Sequence, residues 1–184
     1  MVGAVVLVVG PSGVGKDTLL AGARAHFAED PTVVFQRRDI TRPAEAGGED
    51  HRPVSLTEFD TIAAAGGYAL CWAAHDLRYG VPVGIKMDLV QGRDLLVNLS
   101  RTVLAQAQAL FQPFLVLHLT IDPDILAARL AERGRESARD IAERLDGADL
   151  TLPEGVGPVV TIDTAAPPER LARAALKALY AVRV

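Results

Sequence analysis

Residues 5–16 read Val-Val-Leu-Val-Val-Gly-Pro-Ser-Gly-Val-Gly-Lys, and no other stretch limits the possible folds so strongly. Val5 to Val9 is an unbroken run of Val and Leu, the composition of a parallel strand buried on both faces. Gly10-Pro11-Ser12-Gly13-Val14-Gly15-Lys16 then fits G-x-x-x-x-G-K, and Thr18 to Phe27 is rich in helix formers. Strand, glycine turn and helix in that order are the context in which this pattern cradles phosphate. The glycines let backbone N–H groups curl around phosphate oxygens, and the helix N-terminus adds its dipole. Lys16 would reach the β- and γ-phosphates and move with the transferred group. Gly10 through Lys16, with Asp17 and Thr18, are therefore the expected ATP site.

The position after Lys16 departs from the usual pattern. It is Asp17, where a Ser or Thr ordinarily binds Mg2+, and Thr18 stands one residue late. A carboxylate is a hard oxygen donor, so Asp17 is the candidate Mg2+ residue. Its charge beside a triphosphate argues against an ordinary GTPase or ATPase. The chain has no N-K-x-D base-reading motif and no clear apolar run ending in a Walker-B Asp. Asp122-Pro123, after the strand candidate Phe114–Ile121, reads as a helix cap or as such an Asp, with the cap favoured.

Strand and helix alternate at both ends of the chain. Val33–Phe35, Leu95–Leu99, Phe114–Ile121 and Val159–Ile162 read as strands, and Arg101–Phe111 and Pro123–Leu145 as helical stretches. A last helix is expected after Pro167-Pro168. The pattern predicts an α/β fold, a parallel sheet flanked by helices, in a single domain over residues 1–184. Residues 36–85 break the rhythm and read as an inserted acceptor lobe. Within them Thr41–Pro53 is an extended loop, Ser55–Ala65 a short helix opened by the capping-box pair Ser55 and Glu58, and Tyr68–Ala74 a strand. Tyr79-Gly80 reads as a turn. The helical pattern of residues 123–145 is interrupted at Arg133-Gly134-Arg135, as in a hinged lid.

Composition narrows the function classes. The formal charge of −4 and pI near 5.5 argue against a general nucleic-acid partner. Of 19 basic residues only Lys16, Lys86 and Lys177 are lysines. Arginine suits bidentate phosphate binding, although base composition of the genome explains the excess equally well. The single cysteine, Cys71, forms no internal disulfide and fits a reducing compartment. In its apolar strand it reads as a small core residue. The N-terminal apolar run lacks a basic n-region and is too short for a bilayer, which needs about 20 residues. A cytoplasmic protein without a membrane partner is expected, and monomer and homodimer both remain open.

At this point the chain resembles the guanylate kinase family of P-loop nucleoside monophosphate kinases. The matching stretches are Gly10–Leu19, Thr41-Arg42-Pro43, Gly48-Glu49, Val54-Ser55 with Glu58-Phe59, Gly67-Tyr68, Tyr79-Gly80-Val81-Pro82 and Arg129–Leu145, in the family's order over nearly the whole chain. The departures are also informative. The acidic residue that reads guanine is missing from Tyr68–Trp72, the second Arg of T-R-x-x-R is Glu45, and His51 stands near a phosphate-binding Tyr. Arg37 and Arg38 stand where the family is small and polar.

Together these departures resemble the ribose 1,5-bisphosphate phosphokinase group of that family. The shared signatures are Gly15-Lys16-Asp17, Arg37–Pro43, Ala46–His51, Ala69–His75, Tyr79–Pro82 and Val97–Arg101. The resemblance implies ATP- and Mg2+-dependent phosphorylation of ribose 1,5-bisphosphate at its 1-phosphate, giving 5-phosphoribosyl 1-pyrophosphate and ADP, as in phosphonate breakdown. A guanylate or other nucleoside monophosphate kinase is the alternative enzyme. A non-catalytic protein-binding module is the alternative outside enzymes, which the intact Lys16 loop argues against.

A sugar bisphosphate has no base to read and two phosphates to neutralise. Arg37, Arg38 and Arg42 are accordingly the expected acceptor-phosphate residues, with Thr41, His51 and Tyr79 beside them. Taken alone, Arg37-Arg38 reads equally as a solvated strand end, and His51 and His75 as ordinary loop histidines. Trp72 is expected in the core. By resemblance, Arg133 and Arg144 would swing onto the phosphates as the lid closes. Arg129 and Arg139 stay open between that role and exposed i,i+4 pairs with Glu. No general base is required, because the attacking group is an ionised phosphate oxygen.

Overall fold

The N-terminal apolar run forms β1 (Val5–Val9), and all five residues are fully buried. Their alternation sends Val5, Leu7 and Val9 into one core and Val6 and Val8 into another, on opposite faces of one sheet. A strand with no solvent-facing side has no use for polar residues, hence the unbroken run. In this computed structural model the described residues are 2–44, 49–132 and 151–165, with Arg173 and Lys177.

After β1 come α1 (Lys16–His26) and β2 (Val33–Gln36), and the sheet resumes with β7 (Asp94–Asn98), β8 (Phe114–Thr120) and β9 (Val159–Asp163). Its order is β2-β7-β1-β8-β9, and every pairing is parallel. Leu19, Ala23 and Phe27 of α1 and its C-cap cover one face. Ile85 and Leu89 from α3 (Ile85–Val90), with Leu104, Ala107 and Phe111 on and just after α4 (Leu104–Leu110), cover the other. Asp94, nearly fully buried, accepts the Ala4 N–H at 2.8 Å and so fixes β7 against the start of β1. The phosphate loop consequently leaves the carboxyl end of the central strand, where open parallel sheets place their ligands.

The segment between β2 and β7 builds a second sheet of order β4-β3-β6-β5. Its strands are β3 (Asp39–Ile40), β4 (Arg52–Pro53), β5 (Tyr68–Ala74) and β6 (Leu77–Pro82), with α2 (Leu56–Ala64) between β4 and β5. The Ser55 side chain accepts the Glu58 N–H at 3.1 Å, so the capping pair starts α2 as its sequence indicates.

Several local expectations are corrected. Tyr79-Gly80 lies inside β6, and the chain reverses instead at His75-Asp76, with φ of 50° and 59°. Gly80 is small for a packing reason: a Cβ there would stand 2.5 Å from the Tyr68 ring. Cys71 is exposed rather than in the core, because β5 has an uncovered face. The predicted helix from Arg101 starts as one 3-10 turn, Arg101–Val103, before α4. Asp122 does cap α5 (Pro123–Glu132), its carboxylate accepting the Asp124 N–H at 2.9 Å. The expected lid beyond Glu132, with Arg133, Arg135, Arg139 and Arg144, lies outside the described residues, as do Glu45 to Gly48.

Candidate active site

The phosphate loop is held open by its glycines. Gly13 has φ 86°, and a Cβ there would come within 2.8 Å of Leu130 on α5. At Gly10 a Cβ would meet the Leu119 carbonyl oxygen at 2.6 Å, so the loop passes β8 with no room for a side chain. Gly15 is the N-cap of α1 in a left-handed conformation, and no side chain among the described residues caps this helix end. An uncapped helix start behind a glycine loop is the arrangement that receives an anion.

The Lys16 ammonium donates to the carbonyls of Gly10 at 2.7 Å and Pro11 at 2.8 Å. Burial pulls its pKa down to about 8, with the Asp17 carboxylate opposing the fall and the Arg38 cation adding to it. Arg129, left open by the sequence, donates to Thr164 O at 3.0 Å and more weakly to Val14 O at 3.5 Å. It ties α5 to the loop and to the end of β9.

On the acceptor side the expected phosphate arginines turn out to have protein partners. Arg38 is buried, with its side chain 8% exposed, and its Nε and Nη2 both donate to the Glu49 carboxylate. Asn98, at the carboxyl end of β7, donates its Nδ2 to the same carboxylate at 2.5 Å. The Arg38 guanidinium lies 5.0 Å from the Tyr79 ring centre and 5.4 Å from that of Trp72. Those two rings stack on each other, 7° from parallel. Trp72 is thus half-buried against the core and also serves as a platform for a cation.

Arg37, about half exposed, pairs with Asp50 at 2.9 Å, and Arg24 meets the same carboxylate at 2.7 Å. The Arg24 hydrogen bond holds the Asp50 carboxyl below the usual carboxylate range. His51 is buried, not a free loop side chain. Its ring nitrogens lie 2.9 Å from the Glu49 carbonyl and 3.1 Å from the Arg42 carbonyl, tying two loop segments together. Arg42 reaches His51 at 3.4 Å, while its buried Nε finds no hydrogen-bond partner among the described residues. The Thr41 hydroxyl accepts the Arg78 N–H at 2.9 Å, so it serves the β3–β6 pairing.

Sequence reasoning gave no role to Glu49, Asn98, Asp39 or Arg52. Asp39 is buried and receives two hydrogen bonds from Arg52, at 2.9 and 2.6 Å, and one from Tyr68 at 2.9 Å. Burial and the Asp39 hydrogen bond push the Tyr68 phenol up, and Asp39 raises the Arg52 pKa. Arg101, which opens the 3-10 turn after β7, has its pKa lowered by burial, and its charge is felt at Lys16. The available signal was complementary charge: Arg37-Arg38-Asp39 and Glu49-Asp50-His51-Arg52 carry opposite signs on either side of residues 40–48.

Two cavities flank this network. One of about 260 Å³ lies between α1 and the ends of β2 and β7, and Asp17, Gln36, Glu49 and Asn98 line it. The other, about 940 Å³, lies on the second sheet among Arg42, Ser55, His75 and Arg78. No group of three or more His, Cys, Asp or Glu among the described residues could cage a metal. The exposed Asp17 carboxylate at the start of α1 still suits Mg2+, which is commonly held by one or two carboxylates plus phosphate oxygens and water. No helix among the described residues is long and apolar enough to cross a membrane.

The same backbone recurs in known proteins. The chain superposes on a guanylate kinase from Anaplasma phagocytophilum with a TM-score of 0.63 over 98% of this chain and 86% of that one, at 16% identity. It superposes on a gluconokinase from Sinorhizobium meliloti 1021 with a TM-score of 0.52 over 97% and 91%, at 19% identity. Both likenesses speak to the P-loop kinase fold. No protein-family model matches the chain. In sequence it is 50% identical over 161 residues to a ribose 1,5-bisphosphate phosphokinase of Ruegeria sp., covering 88% of this chain and 83% of the relative. It is 42% identical over 158 residues to one from Agrobacterium fabrum, with 86% of each chain covered. At such identity over nearly full length, and with the phosphate loop intact around Lys16, the chain belongs to the ribose 1,5-bisphosphate phosphokinase family.

Proposed function

We propose that this kinase transfers the γ-phosphoryl group of ATP to the 1-phosphate of ribose 1,5-bisphosphate, giving 5-phosphoribosyl 1-pyrophosphate and ADP. The observation that carries the reading is the filled aromatic platform: the Arg38 guanidinium occupies Trp72 and Tyr79, and the carboxylate beside it, Glu49, is engaged by Arg38 and Asn98 instead of facing a base. An acceptor without a base suits such a lobe. A guanine acceptor needs paired hydrogen bonds for its polar edge.

An oxygen of the acceptor 1-phosphate attacks the γ-phosphorus as the bond to the β,γ-bridging oxygen breaks. The nucleophile is already ionised, so positioning and charge neutralisation carry the catalysis. The backbone of Gly10 to Gly15 receives the triphosphate, and Lys16 exchanges its two carbonyl partners for phosphate oxygens. Mg2+ would supply charge neutralisation for the triphosphate, and Asp17 would hold it, directly or through water. Arg42, whose Nε has no hydrogen-bond partner among the described residues, and the half-exposed Arg37 meet the acceptor phosphates beside Arg38, Thr41, His51 and Tyr79. Arg133 and Arg144 close over the transferring group and exclude water, a role taken from sequence. Residues 36–85 act as the acceptor lobe and residues 123–145 as the lid.

Phosphorus NMR tests the assignment. The protein is incubated with Mg-ATP and, separately, with ribose 1,5-bisphosphate, GMP and UMP. A new pyrophosphate signal with the sugar bisphosphate alone is expected. Conversion of GMP would overturn the acceptor assignment and leave the Lys16 loop standing.

A further inference from the structure

Of the two cavities, the smaller has a lining unsuited to phosphate. Asp17, Glu49 and Asp50 line it with the carboxamide residues Gln36 and Asn98, and the one arginine among its described lining residues, Arg24, is tied to Asp50. Carboxylates repel phosphate and accept hydrogen bonds from hydroxyls. Phe35 and Leu96 add an apolar wall for a sugar carbon face, and about 260 Å³ holds a furanose.

Asn98 is the best-placed reader. It is 7% exposed, yet it lines this cavity. Its Nδ2 donates to Glu49, while its Oδ1 accepts from none of the described residues. Glu49 has about four lone-pair sites, and Arg38 and Asn98 occupy three of them. One hydroxyl can therefore donate to Glu49 or to Asn98 Oδ1 and accept from the second Asn98 N–H. The cavity also reaches Asp17, next to Lys16, so it opens towards the phosphate loop. In the acceptor proposed above, the hydroxyl nearest the 1-phosphate is the one on C2.

We infer that Asn98, with Glu49 held in place by Arg38, reads the 2-hydroxyl of the acceptor and makes the enzyme selective for ribose over 2-deoxyribose bisphosphate. This rests on the proposed acceptor. A site built to pair a hydroxyl rejects an analogue lacking it, because its own buried polar groups are then left unpaired.

The test compares kcat/KM for ribose 1,5-bisphosphate and 2-deoxyribose 1,5-bisphosphate at saturating Mg-ATP, following ADP release. Wild-type protein should favour the ribose compound by about 10- to 100-fold. Asn98→Ala should lose most of that factor on the ribose compound and little on the deoxy one, with the KM for ATP unchanged. Equal use of both sugars by the wild type, which needs no variant to fold, overturns the hydroxyl reading and leaves the kinase assignment intact. Failure of both sugars overturns the acceptor itself. A ratio unchanged in Asn98→Ala overturns the role of Asn98.

Discussion

Substituting Arg38 tests the buried ion pair at the centre of the acceptor side. Its side chain is 8% exposed and that of Glu49 is 14% exposed. Arg38→Met keeps much of the volume but leaves the Glu49 carboxylate with only the Asn98 amide as a described side-chain donor. Breaking a buried pair from one side costs about 3–5 kcal/mol, because the remaining charge is uncompensated. The loss of the cation from the Tyr79 and Trp72 rings adds about 0.5–2 kcal/mol. Glu49 borders a cavity and can recover some hydration there, so the lower end, about 3 kcal/mol, is expected. For a chain of this size that lowers Tm by about 6–12 °C, at about 2–4 °C per kcal/mol. Glu49→Gln keeps one acceptor oxygen but leaves the buried Arg38 cation with only the two rings to offset its charge, and should cost about 2–3 kcal/mol. The double variant should be more stable than the sum of the two losses predicts, with a coupling of about 2 kcal/mol. Urea unfolding of the four proteins gives the free energies and thermal unfolding the Tm values, both followed by circular dichroism. A Tm loss under about 2 °C for Arg38→Met, with strict additivity, would show that the carboxylate is well solvated and that the pair holds nothing together.

Lys16→Ala should reduce turnover severely while leaving the circular dichroism spectrum unchanged; an undiminished rate removes the phosphate loop from the mechanism. The pKa of Lys16 near 8 predicts that kcat/KM for Mg-ATP falls above pH 8 as the ammonium is lost, whereas a profile flat to pH 10 contradicts it. The stability sign runs the other way. Between pH 8 and the ordinary lysine value of 10.5 the unfolded chain binds more protons, so this residue makes the fold more stable as pH rises through that window. The stability difference between wild type and Lys16→Met should shift in that direction over the window, read from urea midpoints. Gly10→Ala should abolish ATP binding by calorimetry, since its Cβ meets the Leu119 carbonyl at 2.6 Å and rigid backbone cannot move aside; retained affinity refutes the close-packing argument.

The parallel sheet was legible because a strand covered on both faces must be apolar throughout, and β1 is. The phosphate loop was legible because its glycines answer a backbone demand that sequence states directly. Pairing between side chains was not. Arg38 looked like an acceptor ligand, because a one-dimensional pattern shows cations and hides the carboxylate eleven residues away that meets them. Gly80 looked like a turn, because sequence does not show that the Tyr68 ring needs the space. Trp72 read as core, and nothing local could show that its free face carries a guanidinium.

These pairings bear on how a lobe rich in arginine stays folded before its phosphates arrive. Arg24 and Arg37 share Asp50, Arg38 holds Glu49, and Arg52 lies between Asp39 and Glu58. Each carboxylate offsets like-charge repulsion, and the Glu49 pair also fixes the plane of the Arg38 fork against two rings. A phosphate competing for Arg38 must therefore displace a carboxylate that is already well oriented, with little net gain. Arg42 is in a different position, since its Nε is desolvated and accepted by no described partner, a cost that an incoming phosphate oxygen would remove. The expected division of labour follows: Arg42 contributes most to holding the acceptor phosphate, while Arg38 contributes mainly by keeping Glu49 and Asn98 aimed at the sugar. Arg42→Lys and Arg38→Lys, assayed side by side, separate the two. The first should raise the acceptor KM with the preference for ribose kept, and the second should erode that preference; the reverse pattern would mean that the Glu49 pair opens to bind phosphate.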